Sequence, residues 1–222
     1  MKIAIVAATG ATGRKVVDRA LEAGHEVVAV ARTPEKITQG VEKVRVDLSD
    51  PDMESLGGAF SGVDAVVSAL GATSKDQARA RIAARGTRAI VDAMGEAEVK
   101  RLVVLSAAPL LTIPTKRRPE PPKHDPGHGF GMRIGVRIVK GILREHYADL
   151  AEMEGVVADS SLEWTVVRPP NLVGKPPRGE YRTGYGSSPQ NGSSICREDL
   201  ARFMIDVIDD KRAVREAPIA AW

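Results

Sequence analysis

The sequence predicts a doubly wound α/β fold: one parallel sheet in the order 3-2-1-4-5-6 with helices on both faces. Three observations carry that expectation. Short Val/Ile/Leu runs alternate with longer helical stretches along the 222 residues, which implies parallel strands joined by right-handed crossovers. The runs are continuously apolar, as strands covered on both faces are. The first run opens into "AIVAATGATGRK" at 4–15, a strand-to-helix turn with almost no side chains to pack.

The elements follow in order. KIAIVA at 2–7 reads as the first strand, and a helix follows over about 14–23. HEVVAVA at 25–31 is the second strand, and VEKVRVDL at 41–48 the third, ending on Asp47. VDAVVSAL at 63–70 is the fourth, followed by one long helix over about 76–95. VKRLVVLS at 99–106 and LEWTVVRPP at 162–170 are the fifth and sixth. Two stretches break the rhythm. Residues 112–140 crowd Pro, Gly, His, Arg and Lys together and read as a loop or lid. Residues 172–196, rich in Gly and Ser from Pro176 to Ser194, form a small substrate-side segment. Both leave the carboxyl edge of the sheet, where ligands bind in this architecture. Residues 1–222 show no internal repeat and are expected to form a single domain.

Composition narrows the function. With 43% hydrophobic residues the chain is not disordered, and 4% aromatics disfavour a face built on stacked rings. A lone cysteine, Cys196, excludes a disulfide framework and suits a reducing cytoplasm. No apolar run reaches the length of a membrane span, and the first residues carry no cleavable signal pattern. The net charge of +3 is met as well by an anionic small molecule as by a nucleic acid. The basic run KRRPEPPK at 116–123 lacks interleaved aromatics, so no nucleic-acid partner is expected.

The opening turn is where chemistry enters. A helix N-terminus presents unpaired N–H groups and a positive dipole end, so it attracts phosphate. Ala8, Thr9, Gly10, Ala11, Thr12 and Gly13 would let a dinucleotide pyrophosphate approach the backbone, and Gly13 would let the helix lie close on the sheet. About 20 residues on, folds that take NAD place an acidic residue against the ribose 2′-hydroxyl. Here Arg32 stands instead, with Thr33 and Lys36 after it. A guanidinium favours a 2′-phosphate, so the expected cofactor is NADP(H). Arg14 either joins the phosphate site or faces water.

These marks, with AATGATG at 7–13, ART at 31–33, VDL at 46–48, ALGATS at 69–74, VVLSAA at 103–108, WTVVRPPNL at 164–172 and ICREDLARFM at 195–204, resemble the NmrA-like group of atypical short-chain dehydrogenases/reductases, close in layout to its flavin- and biliverdin-reducing members. The resemblance spans nearly the whole chain and implies a Rossmann-like domain. It implies that Asp47 and Leu48 flank the adenine, and that Leu70, Gly71, Ala72 and Thr73 line the cofactor after strand four. It sets Ser106 and Ala107 near the nicotinamide, with Pro170, Asn171 and Leu172 closing over it. Asp47 can equally cap a turn.

The chain also departs from the group's pattern. The first glycine of the turn is Ala7 here, which fits if that backbone needs no positive φ. Tyr147, the nearest candidate for the catalytic tyrosine of the wider superfamily, is followed four residues later by Ala151 where a lysine would stand. Tyr147 is therefore expected to be a packing residue. Ser106, Asn171 and Tyr147 are the candidate catalytic residues, and none carries the usual activation. Cys196 replaces a serine that would cap the following helix with Asp199 as its box partner, and is expected to be buried and inert.

Other constellations are thinner. His124 and His128 flank Asp125 in a Pro/Gly-rich stretch that offers no helix to hold metal geometry, so no metal is expected. Residues 130–147 space apolar residues as an amphipathic helix with arginines between, suited to cover a substrate pocket, to meet a partner or to lie on a membrane surface. Lys116, Arg117 and Arg118 in the lid are the expected anion contacts. Two functions fit: an NADPH-dependent reductase of a small conjugated acceptor such as a flavin or quinone, and a non-catalytic NADP(H)-sensing regulator.

Overall fold

A computed structural model describes residues 1–115 and 118–222. β1 (Lys2–Val6) leads through a small-residue turn into α1 (Ala11–Glu22), then β2 (Glu26–Ala31), β3 (Glu42–Arg45), α2 (Met53–Phe60) and β4 (Ala65–Ser68). The helical stretch that follows is divided into α3 (Lys75–Arg79) and α4 (Ile82–Glu96), and leads to β5 (Arg101–Leu105). After the lid come α5 (Phe130–Ile142), α6 (Arg144–Asp159) and β6 (Glu163–Val167). Short strands β7 (Asn171–Val173), β8 (Arg182–Gly184) and β9 (Ser194–Cys196) precede α7 (Arg197–Asp206), and β10 (Ile219–Ala221) closes the chain. β1 to β6 form one parallel sheet in the order β3-β2-β1-β4-β5-β6, a Rossmann-like fold.

The apolar runs are explained by the two faces they serve. Ala4, Val6, Val28, Val66, Leu102 and Val104 bury one face against Leu56 and Phe60 of α2, Ile90 and Met94 of α4, and Met153 and Val157 of α6. The intervening Ile3, Ile5, Val27, Val67 and Val103 bury the other face against Val16 and Val17 of α1 and Leu200 and Met204 of α7. Successive strand residues point to opposite faces, so a strand covered on both sides needs apolar residues at every position.

Two sequence expectations are corrected here. The single helix over about 76–95 is two helices. Arg81 takes a left-handed conformation (φ 56°) between them, and the Asp149 carboxylate of α6 accepts the N–H groups of Ala83 (3.1 Å) and Ala84 (3.0 Å) at the start of α4. A cap borrowed from another helix leaves no trace in the local sequence. The segment 112–140 is not loop throughout, because α5 occupies 130–140 of it. The part before α5 is fastened: the buried Asp125 carboxylate accepts from the Gly127 N–H (2.9 Å), the Ser188 N–H (2.9 Å) and the Ser188 hydroxyl (2.6 Å). A Cβ at Gly127 would lie 2.1 Å from the Ser188 carbonyl, so the lid and the 187–191 loop touch backbone to backbone.

Candidate functional site

The site begins where β1 ends. Ala7 sits at φ 59°, contrary to the expectation that an alanine there avoids positive φ. Its carbonyl accepts the Gly10 N–H at 2.9 Å, which closes the turn. A Cβ on Gly13 would fall 2.2 Å from that carbonyl oxygen, so α1 lies against the turn only because residue 13 has none. Gly10 is the N-cap of α1 and no side chain caps it. The first N–H groups of the helix, at Ala11 and Thr12, therefore face outward as a donor set for an anion. Arg14 is exposed, the second of the two alternatives its position offered, and its Nε donates to the Thr9 carbonyl at 3.0 Å and staples the turn.

A crevice of about 400 Å³ runs across the strand ends from this turn, lined by Thr9, Gly10, Arg32, Asp47, Leu48, Leu70, Gly71 and Thr73. Ala8 and Thr12 are buried behind it, and Ala11 is exposed at the start of α1. Thr33 stands at the N-cap of the one-turn helix Pro34–Lys36 without a side-chain cap bond, Lys36 is exposed and Ala72 half-buried, and none of the three lines the crevice. The Asp47 carboxylate accepts the Ser49 N–H (3.0 Å) and hydroxyl (2.8 Å), a turn cap beside the crevice. Burial pushes this carboxyl up, but the two Ser49 bonds and the Arg32 guanidinium hold it below its ordinary value. Two contributors escape sequence reasoning. Arg45 of β3 donates to the Arg32 carbonyl at 2.7 Å and pairs with Glu35, adding a second guanidinium to that corner. Gly86 of α4 leaves room for Leu70 and Leu48, since a Cβ there would sit 2.6 Å from the Leu70 side chain. Open backbone donors, a glycine-lined approach and a cationic corner fit a dinucleotide.

Leu70 and Gly71 also line a second, larger cavity of about 640 Å³, so the two spaces meet just beyond the end of β4. Its walls are mostly apolar: Ala107, Pro170 and Leu172 from the sheet edge, Met132, Val136, Val139 and Leu143 from the α5 region, and Leu150 of α6. Asn171 and Ser106 line it, as does Tyr147. Ser106 is committed: its hydroxyl donates to Glu154 Oε1 at 2.6 Å, and Glu154 is held by a bidentate ion pair with buried Arg168. Tyr147 is buried in the core cluster, and burial pushes its phenol up from the ordinary value. His128 and His146 line the same cavity and were not assigned to it from sequence. Burial pushes the His146 imidazole down, against a smaller opposing effect of Asp149. His128 shows just a weak local spacing with His124, and His146 lies in no recognisable pattern, so the tertiary fold is what brings them here.

Of the lid cations, Lys116 and Arg117 lie outside the described residues. Arg118 does not line this larger cavity; its Nη2 donates to the Leu110 carbonyl at 2.7 Å, and it lines a separate hollow with Glu154 and Arg168. Cys196 is buried and its sulfur accepts the Asp199 N–H at 3.3 Å, while burial raises its thiol pKa. The Asp199 carboxylate does not return to the start of α7 as a box partner would. It accepts the N–H groups of Arg178 (2.9 Å) and Gly179 (3.2 Å) and the Trp222 indole N–H (2.8 Å).

Comparison with known proteins agrees with this geometry. The yeast protein UPF0659 protein YMR090W (Saccharomyces cerevisiae) is 28% identical over 223 aligned residues, covering 93% of this chain and 86% of its own. Among solved structures, SP1627, a candidate NADH-flavin reductase from Streptococcus pneumoniae, superposes with a TM-score of 0.77 at 22% identity, covering 100% of this chain and 99% of that one. A short-chain dehydrogenase/reductase from Veillonella parvula, solved in complex with NADP, gives a TM-score of 0.76 at 16% identity, covering 100% and 94%. A family model described as NAD(P)H-binding matches residues 7–211. The chain belongs to this NAD(P)H-binding family.

Proposed function

We propose that the protein is an NADPH-dependent reductase that passes hydride to a small conjugated ring such as a flavin or quinone. The observation that carries this reading is the state of the hydroxyls in the acceptor cavity. An ionised carboxylate only accepts hydrogen bonds, so the Ser106 proton is directed at Glu154 and away from the cavity. Tyr147 has Ala151 where an activating lysine would stand, and its surroundings disfavour the phenolate. A carbonyl substrate needs a proton delivered as hydride arrives. A flavin or quinone delocalises the charge over its ring and takes the proton from water. The nicotinamide, when bound, supplies the hydride. The chain's own part is to hold the two rings together across Leu70 and Gly71 and to keep the meeting point apolar.

Arg32, lining the crevice beyond β2, supports NADPH over NADH. The Veillonella structure holds NADP and SP1627 is named for NADH, so the fold accommodates either and the choice falls to residues at this corner. The test is NADPH and NADH oxidation against a panel of flavins and quinones, with both cofactors titrated on the wild type and on Arg32→Asp. We expect turnover with at least one ring acceptor, tighter NADPH than NADH, and a reversed preference in the variant. Tight NADPH binding without turnover on any acceptor would instead establish a sensor.

A further inference from the structure

We infer that α5 is a membrane-docking helix that lies on an anionic lipid surface. Eight large apolar side chains are exposed among the described residues, and five of them, Ile134, Ile138, Val139, Ile142 and Leu143, lie on α5 or at its end. Ile134, Ile138 and Ile142 are spaced four apart, on one line of the helix, at 51%, 60% and 73% exposure. Scattered exposed apolar residues need no explanation, but a contiguous line of them does. The inner face of the helix is already used: Met132, Val136, Val139 and Leu143 line the acceptor cavity, and Lys140 is tied to the Thr112 carbonyl at 3.0 Å. Ile134 borders a neighbouring hollow with His124 and Arg137 and is still half exposed, and Ile138 and Ile142 line neither space. Gly131, Gly135 and Gly141 lower the helix propensity of the segment, and a Cβ at any of the three would meet nothing within 4 Å. Packing inside this chain does not require them.

Charge selects the occupant. From 126 to 144 the sequence carries Arg133, Arg137, Lys140 and Arg144 and no Asp or Glu. Arg137 and Arg144 are exposed, and among the described residues neither pairs with a carboxylate. Asp125, just before this stretch, is buried in its bonds to Gly127 and Ser188, and Glu145 lies just past it, so between them the charges beside the apolar line are cations, the pattern of a helix lying in the headgroup region of anionic lipids. A second copy of the chain fits poorly, because a two-fold contact would set this face against itself and bring like charges together. No helix among the described residues is long and apolar enough to cross a membrane, so the attachment is peripheral.

The experiment is sedimentation with vesicles of phosphatidylglycerol and phosphatidylcholine, and with phosphatidylcholine alone. The purified full-length protein should bind the anionic vesicles at least tenfold more tightly, and binding should weaken as salt is raised. Ile138→Glu/Ile142→Glu should lose at least tenfold of that binding while NADPH titration stays unchanged, which reports an intact fold. Arg137→Ser/Arg144→Ser, which leaves the apolar line in place, should lose the preference for anionic vesicles. Wild-type protein that stays in the supernatant with anionic vesicles overturns the proposal, as does binding that both variants retain. A concentration-dependent dimer that the isoleucine variant abolishes, without vesicle binding by the wild type, overturns it in favour of a second copy.

Discussion

The cofactor crevice and the acceptor cavity meet at Leu70 and Gly71 but are built in different ways. The crevice is made of backbone. Its floor is the turn from Ala7 to Gly13 and its walls are the segments that follow β2, β3 and β4, each set mostly by the residues next to it in sequence, with Arg45 and Gly86 the long-range contributors. The cavity is made of side chains from α5, α6 and the segments after β5 and β6, brought together by contacts between residues far apart in sequence, such as Asp125 with Ser188. A site of the first kind tolerates almost no change at a few small residues. A site of the second kind tolerates change at most positions and fails when a long-range tie is cut.

The largest expected effect is therefore at Gly13. Any Cβ there falls 2.2 Å from the Ala7 carbonyl oxygen and 3.0 Å from the Ala8 Cα, with backbone on both sides and nothing flexible to move. Gly13→Val should unfold the chain or push α1 off the turn, with loss of NADPH binding beyond detection. Gly10→Val is the sharper companion, because a Cβ at Gly10 meets only the Ala7 oxygen at 3.2 Å. That variant should keep a cooperative thermal transition and lose cofactor binding by filling crevice space. A folded Gly13→Val variant that still binds NADPH would break the comparison at its root.

The same difference explains what the sequence could reveal. Strand order, the glycine turn and Arg32 are legible because periodicity and local motif determine them. The break at Arg81 is not, because the group that caps α4 is Asp149, on another helix. Ser106 could be placed near the site by resemblance, but its bond to Glu154, 48 residues away, could not be read from its neighbours. His128 looked like half of a weak metal pair, and only the fold turns it toward the acceptor cavity. Ala7 was misjudged for a reason of degree: a left-handed alanine costs only about 1–2 kcal/mol, which a well-packed turn absorbs.

An intermediate effect is expected from Asp125→Ala. The change removes one carboxylate that accepts three hydrogen bonds from Gly127 and Ser188, and leaves two buried donors at Ser188 and a half-buried one at Gly127 unpaired. Stability should fall by about 2–3 kcal/mol, read as a lower thermal midpoint. Amide exchange should quicken at 123–129 and 187–191. NADPH affinity should stay within a few-fold, because none of these residues lines the crevice, while the KM for a ring acceptor rises. An equal loss of NADPH affinity would show that the two sites do not divide as argued.

The smallest effect is expected from Tyr147→Phe, and it probes the cavity's chemistry directly. The ring is 6% exposed and belongs to the core beside Leu150 and Met153, so phenylalanine preserves its packing. Burial raises the phenol pKa, and position 151 offers no cation to lower it again. At neutral pH the side chain is therefore a neutral O–H whose deprotonation burial opposes. The wild-type kcat should show no ionisation from this residue between about pH 7 and 9. The variant should change kcat by less than tenfold on any acceptor that turns over, with the same pH profile. A thousandfold loss, or a limb of the profile that vanishes in the variant, would make Tyr147 an acid after all. The proton delivered to the acceptor would then come from α6, and carbonyl substrates would return to consideration.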